Sequence, residues 1–272
     1  MPEGPEIRRA ADQIARVLED HIVQVGFGMP DLKHYEQILS GHAVTHIETR
    51  GKALLLHFDH GWSVFTHNQL YGVWRVIKGD VVPATRRSLR LAVRTDSHSA
   101  LLFSASNISV WRRESLEEHP FLARIGPDIL DPTVTWRQLS QRLASKPFAN
   151  RSLIALYLDQ AYIAGLGNYL RSEILFDAAI NPWLKPKDLS ITQRNCLARC
   201  TLNLSQRSYK TGGITNPPDR VKQLKSQGLP RSRHRFAIFD REGLPCYHCD
   251  NDIIRSEAGS RRLYWCPHCQ AA

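Results

Sequence analysis

The first residues of the chain alternate apolar and polar positions with the period of an α-helix. Ile7, Ala11, Ile14 and Leu18 recur at spacings of three and four residues, which places them on one face. Polar and charged residues occupy most of the positions between them. The pattern therefore predicts an amphipathic N-terminal helix whose apolar face packs against a core.

Short runs of β-branched and aromatic residues follow this helix, and turn residues separate them. Asp59-His60-Gly61 and Lys78-Gly79-Asp80 are two such turn sequences. Several short strands at this spacing predict an antiparallel sandwich or barrel. The predicted strand runs are 22–27, 44–58, 62–77, 89–95 and 101–104.

The pattern changes near residue 127, beyond which apolar positions recur with helical spacing. Asp131-Pro132 and Lys146-Pro147 separate the parts of this region, because proline interrupts a helix. We predict helices at 153–161, 168–178 and 192–206, the first two joined by a tight linker over 162–167.

Residues 208–235 are polar and contain seven Lys or Arg residues. Gly212-Gly213 and Pro217-Pro218 interrupt any regular pattern in this stretch. We interpret it as a mobile basic loop or linker that contacts nucleic acid. The alternative is a solvated connection without a function.

Composition adds a charge imbalance to this picture. The 272 residues carry 36 Lys and Arg against 26 Asp and Glu, a formal net charge of +10 that predicts an acidic partner, with nucleic acid as the first candidate. The alternative is a solvated basic surface. No run approaches the roughly 18 apolar residues of a membrane span, and the N-terminus lacks the apolar segment of a secretory signal. We therefore expect a cytoplasmic protein with reduced cysteines and no membrane partner.

Four of the six cysteines form two pairs near the C-terminus. Sixteen residues separate Cys246-x-x-Cys249 from Cys266-x-x-Cys269, a spacing typical of a structural Zn²⁺ site. Four thiolates leave no position open for a catalytic water, and we expect the nearby histidines, His248 and His268, to be exposed rather than to bind metal. The alternative is four buried cysteines without metal. The other two, Cys196 and Cys200, share one helix face and are expected to pack in the core.

The N-terminus carries a second chemical signal. Removal of Met1 would leave Pro2 with a free secondary amine, whose pKa of about 8 lets a fraction stay neutral near pH 7. Such an amine can attack a carbonyl-like carbon and form an iminium ion, with Glu3 and Glu6 close by for proton transfer. The alternative is a processed terminus followed by ordinary acidic residues of a first helical turn.

Four motifs in order resemble one family of DNA repair enzymes. They are the opening Pro2–Glu6, the sequence Thr49-Arg50-Gly51-Lys52-Ala53-Leu54, the segment from Leu158-Asp159-Gln160 to Gly165-Leu166-Gly167-Asn168-Tyr169, and the cysteine module with Arg261. The chain is identified by them as a member of the formamidopyrimidine-DNA glycosylase/endonuclease VIII family. His67-Asn68-Gln69-Leu70-Tyr71-Gly72 further resembles the bacterial endonuclease VIII branch of that family.

The resemblance implies a base-excision-repair glycosylase that also has AP lyase activity. Pro2 would attack C1′ of the damaged nucleoside, with Glu3 as general acid at the ring oxygen and Glu6 in proton transfer around the Schiff base. Lys52 is grouped with these catalytic residues. Loss of the base is then followed by β,δ-elimination, which cuts the strand.

The same resemblance assigns DNA contacts. Gln69, Leu70 and Tyr71 would fill the space that the flipped nucleotide leaves in the duplex. For Leu70 and Tyr71 the alternative is core packing of a strand, and for Asn168 it is a helix N-cap only. The family's phosphate clamp corresponds to Lys52, His67, Asn168 and Arg261, with Arg171 as a further backbone contact.

For the fold, we expect an α+β multidomain protein. Residues 1–126 would form an N-terminal helix and antiparallel β-sandwich with the catalytic residues. Residues 127–235 would form a helix–two-turn–helix DNA-binding domain that includes the basic loop 208–235. Residues 236–272 would form a β-hairpin zinc finger with one structural Zn²⁺. We expect a monomer that binds damaged double-stranded DNA.

Two features of the sequence favour different substrate classes. The endonuclease VIII resemblance favours oxidised pyrimidines such as thymine glycol and dihydrouracil. Thr211-Gly212-Gly213-Ile214-Thr215, in a stretch that is longer here than in endonuclease VIII, is closer to the purine-specific relatives. One alternative is therefore the same chemistry on 8-oxoguanine or formamidopyrimidine lesions. The other is a non-catalytic zinc-ribbon protein that only binds nucleic acid.

Overall fold

The computed structural model describes residues 2–258 and 261–271. The chain folds as two compact units, Met1–Arg124 and Ile125–Ala272. Each unit has its own hydrophobic core. None of the described helices is long and apolar enough to cross a membrane.

The described part of the first unit contains one long helix and eight strands. Helix α1 spans Gly4–Leu18, and the short helix α2 spans Glu36–Leu39 after a 3-10 turn at Pro30–Tyr35. The strands are β1 (Ile22–Phe27), β2 (His42–Arg50), β3 (Ala53–Phe58), β4 (Trp62–His67), β5 (Val73–Lys78), β6 (Leu89–Arg94), β7 (His98–Phe103) and β8 (Asn107–Arg112).

All pairings between these strands are antiparallel, in the order β5-β7-β6-β1-β2-β3-β4-β8. Strands β1 and β2 meet over two residue pairs, Ile22 with Ala43 and Val23 with His42. This narrow junction divides the strands into two four-stranded halves. Side chains of both halves share one core, which is the arrangement of a β-sandwich.

The apolar face of α1 enters that core as predicted. Ile7, Ala11, Ile14 and Leu18 are at most 2% exposed. Strand β3 is buried along its whole length, and its residues do not alternate between apolar and polar, because all of them except His57 are apolar. The predicted runs 44–58 and 62–77 each contain two strands, and β8 was not predicted.

The second unit is helical and ends in a β-hairpin. Its core is built mainly from the longer helices and the segments between them. The helices are α3 (Trp136–Ala144), α4 (Leu153–Leu156), α5 (Asn168–Asp177), α6 (Ile191–Thr211), α7 (Pro218–Ser226) and α8 (Arg231–His234), and the hairpin strands are β9 (Ile254–Ala258) and β10 (Arg261–Trp265).

The helices predicted at 168–178 and 192–206 are confirmed as α5 and α6, but two neighbouring predictions are wrong. The helix predicted at 153–161 ends at Leu156, because the Asp159 carboxylate accepts the Ala161 N–H at 2.8 Å and folds the chain into a turn. The loop predicted over 208–235 contains α7 and α8. Pro218, interpreted as an interruption, is the first residue of α7, where its missing N–H costs nothing.

The cysteine module packs against the helical part of this unit. Phe176 of α5 shares a small buried cluster with Ile238, Ile253 and Tyr264. Of the two remaining cysteines, Cys200 is half-buried while Cys196 is exposed, so the predicted core packing is wrong for Cys196. The division of the chain into three domains stays a prediction.

Candidate functional site

Pro2 directly precedes the capped first turn of α1. Glu3 is the N-cap residue and is 2% exposed, and its N–H donates to a Glu6 carboxylate oxygen at 3.0 Å. This capping-box arrangement holds two carboxyl groups directly beside Pro2. Met1 and its predicted removal lie outside the described residues.

Lys52 lies at the tip of the β2–β3 hairpin. Arg50 pairs with Ala53, so Gly51 and Lys52 form a two-residue turn. Gly51 adopts a φ of 63°, a left-handed conformation that glycine tolerates and that such turns require. Lys52 is 7% exposed, which is unusual for a lysine and holds its ammonium group in a defined place.

His67 lies beside Lys52, because Ala53 of β3 pairs with His67 at the end of β4. Burial, together with the Lys52 charge, lowers the pKa of His67 to about 4. The Gln69 N–H donates to His67 Nδ1 at 3.0 Å, so the neutral ring carries its proton on Nε2. At neutral pH, His67 is therefore an uncharged hydrogen-bond donor rather than a cation.

The loop that follows His67 presents two large apolar side chains to solvent. Leu70 is 62% exposed and Tyr71 is 70% exposed, so the alternative of core packing is wrong for both. The Gly72 N–H donates to the Asn68 carbonyl at 2.8 Å and closes the loop. A Cβ at Gly72 would come within 2.6 Å of Asn68 backbone atoms, so only glycine fits without rearrangement.

Side-chain contacts hold this loop at two further points. Gln69 has a φ of 50°, and its Oε1 accepts a hydrogen bond from Ser106 Oγ at 2.7 Å. Arg87 Nη1 donates to the Tyr71 carbonyl at 2.7 Å. The loop is therefore a closed turn with exposed apolar tips, which is the property required of a wedge that enters a base stack. Neither Ser106 nor Arg87 was identified from the sequence, since each lies far along the chain from its partner.

In the second unit, Asn168 begins α5. Gly167 is the N-cap residue and Asn168 is the first helical residue, so the alternative that Asn168 is only a helix N-cap is wrong by one position. Within the described part of the chain, Asn168 Oδ1 is buried without a hydrogen-bond partner. Gln160 fixes the preceding linker, because its side chain bonds the Gly165 N–H and the Leu166 carbonyl, both at 3.0 Å.

Arg171 has a different role from the predicted DNA contact. It is fully buried, and its guanidinium donates to the Ile154 carbonyl at 2.8 Å and to the Arg262 carbonyl at 2.9 Å. The Tyr264 N–H adds a bond to Ser172 Oγ at 3.3 Å. These bonds dock the β9–β10 hairpin onto α5. We therefore replace the DNA contact of Arg171 with a structural role.

Arg261 is exposed at the start of β10, where it pairs with Ala258. Because the hairpin is docked onto α5, these buried contacts fix the place of Arg261 relative to the helix that Asn168 begins. The side chain of Arg261 stays available for an anion.

Glu173 was not identified from the sequence. Its carboxylate is buried and accepts hydrogen bonds from Thr215 Oγ1 at 2.6 Å and from the backbone N–H groups of Ala237, Ile238 and Phe239 at 2.8–3.0 Å. Burial raises the pKa of Glu173, while these four donors oppose the rise. The available sequence signal was an ionisable residue directly before the apolar run Ile174-Leu175-Phe176.

The four paired cysteines come together as predicted. Their sulfur atoms lie within 4.8 Å of one another, with 3.8 Å between Cys246 and Cys269 and 3.5 Å between Cys249 and Cys266. A tetrahedral site with metal–sulfur bonds of about 2.3 Å has sulfur–sulfur separations of roughly 3.8 Å. The cluster therefore fits a tetrahedral metal ion. His248 and His268 are exposed, as expected.

Comparisons with known proteins place both units of the chain in one family. Residues 1–106 match the model of the formamidopyrimidine-DNA glycosylase N-terminal domain, and residues 125–217 match that of the formamidopyrimidine-DNA glycosylase H2TH domain. Proteins named Endonuclease 8 from Shigella sonnei and Klebsiella pneumoniae are 46% and 45% identical over 271 residues, covering 99% of this chain and all of theirs.

Solved structures share the fold over the whole chain. The Thermus thermophilus MutM (Fpg) protein has a TM-score of 0.79 at 27% identity and covers 99% of this chain and 98% of its own. Lactococcus lactis Fpg bound to DNA with an AP site has a TM-score of 0.81 at 18% identity, covering 99% of this chain and all of its own.

Fold and similarity together define a DNA glycosylase of base-excision repair that also has AP lyase activity. The chain belongs to the formamidopyrimidine-DNA glycosylase/endonuclease VIII family.

Proposed function

We propose that the enzyme excises oxidised pyrimidines, such as thymine glycol and dihydrouracil, from double-stranded DNA and then cuts the strand by β,δ-elimination. The observation that carries this proposal is the closed loop after His67, which exposes Leu70 and Tyr71 beside Gln69. An exposed apolar wedge offsets the cost of flipping a base out of the stack. The similarity to relatives named Endonuclease 8 favours this branch of the family.

In the proposed mechanism, the free amine of Pro2 attacks C1′ of the damaged nucleoside. Glu3 donates a proton to the ring oxygen, the sugar opens and the base departs, leaving an iminium ion on Pro2. Glu6 assists proton transfer, and its bond to the Glu3 N–H supports that placement. The iminium acidifies the C2′ proton, so the 3′ phosphate leaves first and the 5′ phosphate second.

Reductive trapping tests this chemistry. Borohydride should reduce the iminium and leave the mature chain covalently attached to thymine glycol DNA. A chain that retains Met1 is the matched control, because its Pro2 nitrogen is an amide and cannot form the adduct. Absence of an adduct from a chain whose Met1 is shown to be removed would contradict the mechanism.

The lesion class needs a separate comparison. We expect excision of thymine glycol to be faster than excision of 8-oxoguanine, each opposite its normal partner base. A clear preference for 8-oxoguanine would reverse this assignment and leave the Schiff-base chemistry intact. The Thr211–Thr215 stretch, which resembles the purine-specific relatives, is the reason to include the purine lesion.

Contacts to the DNA backbone are proposed for residues of both units. Lys52 supplies a cation, and neutral His67 supplies an N–H donor, from the first unit. Asn168 at the start of α5 and exposed Arg261 supply donors from the second. We predict that Arg261→Ala weakens DNA binding and lowers the slope of log Kd against log salt by about 1. An unchanged slope would contradict a phosphate contact.

For the metal, we propose one structural Zn²⁺ held by Cys246, Cys249, Cys266 and Cys269, because four thiolates in this geometry suit that ion. Zinc bound there would stabilise the finger, which has too few apolar residues to fold alone. A monomeric state and a cytoplasmic location complete the proposal.

A further inference from the structure

Three metal-ligating side chains lie together in the first unit, apart from the residues of the proposed mechanism. His42 begins β2, Asp59 directly follows β3, and His60 lies in the turn to β4. One ring nitrogen of each histidine and one carboxylate oxygen lie within 4.8 Å of one another. Two imidazoles and a carboxylate are a common ligand set for borderline divalent cations.

The separations within this cluster fit a shared ion. His42 Nδ1 lies 3.0 Å from Asp59 Oδ1, and His60 Nδ1 lies 3.3 Å from the same oxygen. Tetrahedral ligands at about 2.05 Å from a zinc-like ion are roughly 3.4 Å apart. The two imidazole rings are stacked, with centroids 3.6 Å apart and planes 12° from parallel. Because a ring nitrogen binds an ion in its own plane, binding requires this stack to open by rotation about χ2, a soft torsion.

The backbone fixes the carboxylate between the two rings. Asp59 Oδ2 accepts the Ala43 N–H at 3.2 Å, and the Asp59 N–H donates to the Ala43 carbonyl at 3.0 Å. Oδ1 is thereby directed at both imidazoles. Among the residues that the structure describes, neither ring nitrogen of His60 has a hydrogen-bond partner in good geometry.

We propose that His42, Asp59 and His60 form a second metal site, for a borderline divalent cation such as Zn²⁺ or Ni²⁺. Its position makes it structural rather than catalytic. Glu19, directly after α1, forms a bridge with Val44, close to His42, whereas Pro2 precedes the other end of this 15-residue helix. A helix of that length is about 22 Å long. A bound ion would connect the start of β2 to the β3–β4 turn and stabilise the first unit.

Calorimetric titration with Ni²⁺ tests this site in the full-length, metal-loaded chain. We expect one saturable Ni²⁺ site per chain and a higher melting temperature of the first unit. His60→Gln and His42→Gln should each weaken Ni²⁺ binding by roughly tenfold or more, since a lost ligand costs at least as much as a lost outer-shell partner. His98→Gln, on β7, is the matched control and should bind as the unsubstituted chain does. Excision activity should be the same in all four proteins.

Absence of saturable Ni²⁺ binding, or equal binding by His60→Gln and His98→Gln, would overturn the proposal. His60→Gln is the decisive variant, because His42 also has a 3.0 Å bond to Asp59 whose loss could alter the turn without any metal. Paramagnetic broadening by Ni²⁺ gives a second readout in the unsubstituted chain. Amide signals of residues 42–43 and 58–61 should disappear first, and broadening centred elsewhere would also overturn the site.

Discussion

The two units position the side chains of the proposed site by different means. In the first, the first turn of α1 sets the place of Pro2, and main-chain pairing between strands sets the places of Lys52 and of the loop after His67. In the second, buried Arg171 holds the hairpin of Arg261 against α5, and buried Glu173 binds the backbone of residues 237–239, which lead into the cysteine module. Many main-chain hydrogen bonds together fix the register of a sheet, so no single side chain is essential to it. A buried polar residue makes several hydrogen bonds by itself, and all of them are lost when it is replaced.

This difference predicts where single substitutions act. A change at a turn of the first unit should alter function and leave the sandwich stable, because the core beneath the turn is intact. A change at a buried polar group of the second unit should cost stability first and function as a consequence.

The largest expected effect is loss of the finger in Cys266→Ser. Cys266 is fully buried, and structural zinc sites contribute on the order of 10 kcal/mol to the folding of their modules. We expect backbone amides of β9 and β10 to lose protection from hydrogen exchange while those of β3 keep it. Cys196→Ser, at the exposed thiol of α6, is the matched control. Retained protection of β9 and β10 in Cys266→Ser would contradict a stabilising metal there.

Next in size is Glu173→Gln. The carboxylate receives four donors, and an amide would offer one oxygen and turn its own N–H₂ toward backbone N–H groups. We expect a loss of about 3 kcal/mol in unfolding free energy, measured by urea denaturation of the second unit. Glu257→Gln, exposed on β9, should change it by less than about 0.5 kcal/mol. Equal free energies of unfolding for Glu173→Gln and Glu257→Gln would show that the buried contacts of Glu173 do not stabilise this unit.

These two regions also differ in how far the sequence could predict them. The α1 face, the strands of the sandwich and the cysteine pairs follow from spacing within short windows, and the structure has them. Arg171 and Glu173 bond to groups that lie up to 91 and 66 residues away in the chain, so no local pattern predicts their partners. For Leu70 and Tyr71, the periodic pattern alone could not decide between exposure and core packing, since such a run favours a strand whether it is buried or not; the family resemblance indicated the wedge.

The third effect in size is a pH dependence of the stability of the first unit, which the pKa of His67 causes. The folded state lowers the pKa of His67 to about 4 from an ordinary value near 6.5. As the pH falls from 6.5 toward 4, His67 gains a proton in the unfolded chain and stays neutral in the folded one, so stability decreases by up to about 3 kcal/mol. Above pH 6.5 this contribution is complete. Denaturation of the unsubstituted chain and of His67→Asn at both pH values measures it, and equal pH dependence of the two would contradict the shift.

The smallest expected effect is that of Ser106→Ala, which should slow excision more than it lowers stability. Ser106→Ala removes the bond from Ser106 Oγ to Gln69 Oε1 and leaves the backbone closure of the loop by Gly72 untouched. Because the site is exposed, we expect less than about 1 kcal/mol of lost stability. Single-turnover excision of thymine glycol should slow roughly fivefold, which corresponds to about 1 kcal/mol of transition-state stabilisation. Ser97→Ala, at another exposed hydroxyl of the same unit, should have no effect on either quantity. If excision by Ser106→Ala is unchanged, main-chain geometry alone positions the wedge. The first unit would then depend on main-chain bonds even where a side-chain bond is present, unlike the second unit.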